Sequence, residues 1–262
     1  KMKTAMTAII RKDFRGVAAN KQLFTSLLVV PLVLTVLLPS VFMLAFTFAP
    51  EDPDVQKLLE LLPPAARGES LELTVAGLLL NFILPVFFLI IPIMTASVMA
   101  ASAFVGEKEK RTLETLLYCP LSVGQIFRAK VMASFLLSML VSLISFCAML
   151  AVVELEAFFL MGRFLTPGVT WLIVLLLVAP ALSLIAVTLI VRGSAKARSV
   201  MESQQSAVFL ILPLVLLVAG QFTGVLLLSP WVLLALGAVC ALLAWLLLKK
   251  CVGRFTYETL LK

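Results

Sequence analysis

Six long apolar runs decide what this chain can fold into. Each reaches the roughly 18 residues that a helix needs to cross a bilayer, and a backbone in hydrocarbon must satisfy its own polar groups. They fall at about 23–48, 75–105, 126–153, 168–191, 205–228 and 231–248. Apolar residues make up 62% of the 262 and charged residues only 13%, too few to coat a soluble globule of this size. The expectation is an all-α polytopic membrane protein with six transmembrane helices, forming one membrane domain over 1–262. Residues 1–20 are too polar for a secretory signal peptide.

The net charge of +7 is not a nucleic-acid signal, because of where it lies. Segments 1–22, 106–130, 192–204 and 249–262 hold 18 of the 21 Lys and Arg, against 6 acids. The alternate segments, 49–74 and 154–167, hold 3 basic residues and 8 acids. This positive-inside bias places both termini in the cytoplasm and leaves the lipid bilayer, not nucleic acid, as the partner of the basic excess.

Residues 1–22 read as an interfacial helix. Met2, Met6, Ile9, Ile10, Phe14 and Val17 share a face, with Arg11, Lys12 and Arg15 opposite. Lys3 and Asp13 interrupt the apolar side. Asp52-Pro53 can open a short amphipathic helix outside the membrane, ended by Pro63-Pro64. The second run is long and holds Pro85 and Pro92, so it tilts, kinks or extends into the cytoplasm. Glu154 and Glu156 mark a short acidic outer loop. Trp171 and Trp231 fall near the outer interface and Trp245 near the inner one, as an aromatic belt requires.

Chemistry is mostly conspicuous by what is missing. There is no histidine, no GxxxxGK[ST] phosphate loop and no Asp/Glu cluster for a metal. No run carries an ionisable residue near its middle, where ion-coupled carriers place one. Ser and Thr lack the partnered base a nucleophile needs, so the chain reads as a non-enzyme. Asn81 and Gln221 are the amides well inside the spans; they either line a polar patch or bond a neighbouring helix.

The remaining signal is the cassette GEKEKRTLETLLYCPLS, Gly106 to Ser122. Charges crowd Glu107, Lys108, Glu109 and Arg111, and Leu113, Leu116 and Leu117 follow at helical spacing. Cys119-Pro120 ends that pattern, and Ser122 with Gln125 makes a capping box for the next helix. Such a cassette is either a solvated, topology-setting loop or a docking helix.

Glu107-Lys108-Glu109, Thr112-Leu113-Glu114, Leu116-Leu117 and Pro120-Leu121-Ser122 together resemble the signature of type-2 ABC exporter permeases, with Arg111 where that family usually has glycine. The likeness extends over the chain, from an Arg-Lys-Asp-Phe first helix to Ala197-Arg198-Ser199 in the second loop, and is nearest to short members related to sodium- and drug-export permeases. The resemblance implies an elbow helix at 1–22 and a cytoplasmic coupling helix in 106–122. It implies docking of an ABC ATP-binding subunit on Glu107, Lys108, Glu109, Arg111, Thr112, Leu113, Glu114, Leu116 and Leu117, with Ala197 and Arg198 as a second contact. ATP and Mg would be held by that partner, with no cofactor in this chain. A second permease, identical or homologous, would complete an exporter in a prokaryotic cytoplasmic (inner) membrane. The substrate stays open among lipid, peptide, drug and sodium. A self-sufficient channel or ion-coupled carrier, and an ATPase-binding scaffold without transport, are the alternatives.

Overall fold

A computed structural model of the chain describes residues 2–48, 71–109, 122–194, 197, 199–205, 207–222 and 229–254. All regular structure among them is helical: α1 (Met2–Ala19), α2 (Lys21–Phe48), α3 (71–109), α4 (Val123–Met161), α5 (169–194), α6 (Val200–Gln205), α7 (Val208–Phe222) and α8 (Pro230–Arg254). Six helices are long and apolar enough to cross a membrane, as the hydropathy predicts. The outer helix expected at 52–62 lies outside the described residues.

The second span, α3, is the centre of the bundle and the most buried of the six. It packs against α4 on one side and α5 on the other, with α6 and α7 along its two ends. α8 covers α5, and most of its surface remains exposed for lipid. One apolar core, around Leu80, Phe88, Trp171 and Val178, fills the half of the bundle away from α1, named the outer half for the sidedness expected from the charges; a second, around Ala100, Phe104, Phe127 and Ile190, fills the half beside α1, named the inner half.

The long second run is not a uniform helix. Residues Leu79–Ile83 form a π-helical turn, and regular helix is interrupted again at Leu89. In α5, Val174–Val178 form a second π turn. Both π turns end two residues before a proline, Pro85 and Pro180. A proline removes an N–H and its ring crowds the carbonyl one turn back; a wider turn relieves that crowding.

α4 runs well past the expected outer boundary. Glu154 and Glu156, read from sequence as a loop, are helical, because glutamate is a good helix former and no breaker comes before Gly162. Gly162 ends the helix at φ 67°, a left-handed conformation that glycine adopts without strain. The Glu154 carboxylate then accepts from the Leu165 N–H at 3.1 Å, tying down the returning chain. The start of α4 follows the sequence: Gln125 N–H donates to Ser122 Oγ and Gln125 Oε1 accepts from Ser122 N–H.

The apolar face of α1 is used by protein. Val17 packs with Leu27 of α2, Met99 of α3 and Leu137 of α4. The helix that the moment pattern places on the leaflet is docked onto the inner end of the bundle.

Candidate functional site

The charged residues nearest the cassette converge at one point. Glu107, in the last turn of α3, is buried. Its Oε1 accepts from Lys12 Nζ of α1 at 2.7 Å, and its Oε2 lies 2.8 Å from Lys130 Nζ of α4. Lys130 is only 2% exposed. It also donates to the Ala103 carbonyl and sits 5.6 Å from the Phe104 ring centre. Burying a lysine side chain is costly unless a carboxylate and further acceptors surround its nitrogen, and all are present.

Asp13 of α1 completes the cluster. Burial raises its carboxyl above the ordinary aspartate range, Lys130 opposes that shift, Glu107 adds to it, and Lys12 opposes it again. Its Oδ2 is buried and has no hydrogen-bond partner. The Asp13 interruption in the apolar stripe of α1 was therefore the legible sign of this site. Lys12, placed by the same pattern on the outward face, reaches inward because its long stem lets the ammonium turn back to Glu107. Lys130 is a site residue that pattern reading missed, lost among the basic residues that set topology.

The beginning of the cassette also meets the second loop. Glu109 Oε2 accepts from the Val200 N–H at 3.4 Å, and Ser199 Oγ accepts from Glu202 N–H to cap α6. Ala197 is buried, its N–H bonded to the Gly193 carbonyl. Arg111, Thr112, Leu113, Glu114, Leu116, Leu117 and Arg198 lie outside the described residues.

The two intramembrane amides form a separate, outer knot around the π turn of α3. Asn81 Nδ2 donates to the Gly77 carbonyl, and Asn81 Oδ1 accepts from the Gly168 N–H at the start of α5. A Cβ at Gly168 would stand 2.8 Å from that oxygen, so only glycine allows the approach. Gln221 Nε2 donates to the Phe82 carbonyl at 3.1 Å. Trp171, expected at the membrane surface, is 2% exposed. Its Nε1 donates at 2.9 Å to the Leu80 carbonyl. Pro85, five residues after Leu80, has no N–H to offer that carbonyl across a π turn, and the indole replaces it. Phe88 and Phe146 hold the indole at centroid distances of 5.5 and 5.0 Å.

Between cluster and knot, α4 turns Lys130, Ser134, Ser138, Ser142 and Ser145 inward, all buried. Ser138 donates to the Pro92 carbonyl at 2.9 Å and lies 3.0 Å from Thr95 Oγ1. Ser134, Ser142 and Ser145 have no hydrogen-bond partner. Among the described residues no three His, Cys, Asp or Glu stand close enough to hold a metal.

Six spans, packed about a kinked central helix with a buried ion-pair cluster at one end, define a multi-pass α-helical membrane protein. Residues 72–201 match the family model described as ABC-2 family transporter protein, a match that supports an ABC-2 type permease. Neither a curated protein nor a solved structure matches it.

Proposed function

We propose that the chain is the permease subunit of an ATP-driven ABC exporter, with its cassette docked to a separate ATP-binding subunit. The observation that carries this reading is the junction at the inner end of α3. Glu107 is fastened to α1 and α4, and Glu109 reaches α6, so a push on residues just beyond Glu109 would be shared by four helices. A stiff junction is what transmission of ATPase motion requires. The family match over 72–201 supports the transport role.

On this reading Leu113, Leu116 and Leu117 form the face that enters the ATPase, with Lys108, Arg111, Thr112 and Glu114 around it and Arg198 beside it. ATP and Mg are bound by the partner. Two permease subunits flank the path, both termini lie in the cytoplasm, and the assembly sits in a prokaryotic inner membrane. Glu107 and Ala197 act differently from the rest: both are buried in this chain and position the docking segment instead of touching the partner.

The test is recovery of the chain from its native host in gentle detergent, with mass spectrometry of what accompanies it. The expected result is a stoichiometric P-loop ATPase, lost in Leu113→Asp and Leu116→Asp variants that still insert. Recovery of the chain alone, active in transport, would sink the proposal in favour of a channel or carrier. An ATPase that copurifies without substrate-dependent turnover would leave only a scaffold.

A further inference from the structure

A cleft of about 240 Å³ opens between α1 and the inner end of α3. Asp13, Gly16 and Val17 line it from α1, and Met99, Ser102 and Glu107 from α3. It lies where α2 enters the membrane and α3 leaves it, the depth of the lipid headgroups. Its apolar wall includes Val17 and Met99; its polar wall is Lys12, Asp13, Ser102 and Glu107, with the Lys12 ammonium turned to Glu107 Oε1.

The polar wall is unevenly satisfied. Both Glu107 oxygens face lysines, and Lys130 also serves the Ala103 carbonyl. Asp13 Oδ2 is left as a buried acceptor without a donor. Such a group calls for a hydrogen-bond donor, best one carrying positive charge. A hard metal ion takes about six oxygen ligands, and the cleft offers too few. An ammonium needs fewer, with solvent able to take any N–H left over, and a small one fits the volume.

We propose that this cleft binds a primary ammonium group, held by Asp13 Oδ2 with Ser102 Oγ as a second acceptor. Two sources present that group here: the headgroup of phosphatidylethanolamine, whose chains would follow the apolar wall, and a free amine from the cytoplasm. The site is independent of ATPase docking. Bound lipid would hold α1 to α3 at the junction where Glu107 sits.

The experiment uses the full chain in nanodiscs that contain phosphatidylcholine with added phosphatidylethanolamine, and native mass spectrometry to count each retained lipid. Choline carries no N–H, so it is the matched negative. Wild type should retain the ethanolamine lipid about tenfold over the choline lipid, the size expected of one charge-assisted hydrogen bond. Asp13→Asn should abolish the preference. Gly16→Leu provides a second variant: Gly16 lines the cleft and a Cβ there meets nothing within 4 Å, so a larger side chain can start from it without a clash at Cβ. It should abolish the preference too, while exposed Glu202→Gln keeps it. In pure phosphatidylcholine discs, Asp13-dependent binding of ethanolamine would identify a soluble amine as the source and sustain the ammonium site. Equal retention of both lipids by wild type without amine binding, or a preference that survives both Asp13→Asn and Gly16→Leu, would overturn it.

Discussion

Lys130 and Glu107, 23 residues apart in sequence, form an ion pair of 2.8 Å whose lysine is almost wholly excluded from solvent. The pair joins α3 to α4, and Lys12 extends it to α1. Removing one partner of a buried pair leaves a charge without compensation, whereas removing both does not. Lys130→Met should therefore destabilise the protein by about 3 kcal/mol. The double variant Lys130→Met with Glu107→Gln should recover part of that loss. Thermal unfolding in detergent of wild type, both single variants and the double variant measures the coupling; additive losses would mean the pair contributes nothing specific.

Glu107→Lys should disrupt more than docking. It would set three ammonium groups at one buried point, and α1 should detach from the bundle. Limited proteolysis within residues 15–25 reports the detachment. Glu114→Lys should leave that region protected and impair only ATPase stimulation.

Asp13 gives a pH signature. Its carboxyl is raised on folding, chiefly by burial, so the folded state holds its proton more tightly than the unfolded one. The associated stability is fully present below the ordinary value of 3.8 and is lost as pH rises through the folded value. The melting temperature of wild type, relative to Asp13→Asn, should fall as pH is raised from about 4 toward neutrality. A pH-independent difference between the two would contradict the assignment.

The outer knot should be sensitive in proportion to what each side chain satisfies. Trp171→Phe keeps the aromatic packing and loses one hydrogen bond, a loss of about 1 kcal/mol. Gly168→Ala should cost more, since its methyl would meet Asn81 Oδ1 at 2.8 Å. Thermal melts of the two variants, with Asn81→Ala added to Gly168→Ala as the relieving change, test the order.

Ser142→Ala and Ser145→Ala should be neutral or stabilising. Each removes a buried hydroxyl that has no partner, whereas Ser138→Val removes one bonded to Pro92 and should destabilise. Destabilisation by the two alanines equal to that by Ser138→Val would mean that the unpartnered hydroxyls are bonded after all.

Much of this protein is written locally. A bilayer rewards any apolar run of sufficient length, so six spans and the capping box at Ser122 and Gln125 follow from short stretches of chain. Charge at Glu154 and Glu156 suggests an exposed loop, yet α4 continues through them while Val153, Ala157 and Met161 pack in the apolar core. Position alone places Trp171 near the outer interface and says nothing of the specific partner its indole N–H has in α3. Asp13 broke a periodic pattern, and the break was the clue to the cluster.

By itself the sequence determined the membrane as solvent, the number of apolar runs long enough to cross it, the alternate segments in which basic charge collects and the family signature of the cassette, because each depends on composition or spacing within about 30 residues. Only the tertiary structure decided that Lys12, Glu107 and Lys130 share one charge cluster, that Asp13 faces a cleft, and that Trp171 and Gln221 complete the π turn of α3. Those pairings span up to 139 residues and arise from how helices pack, which no local pattern encodes.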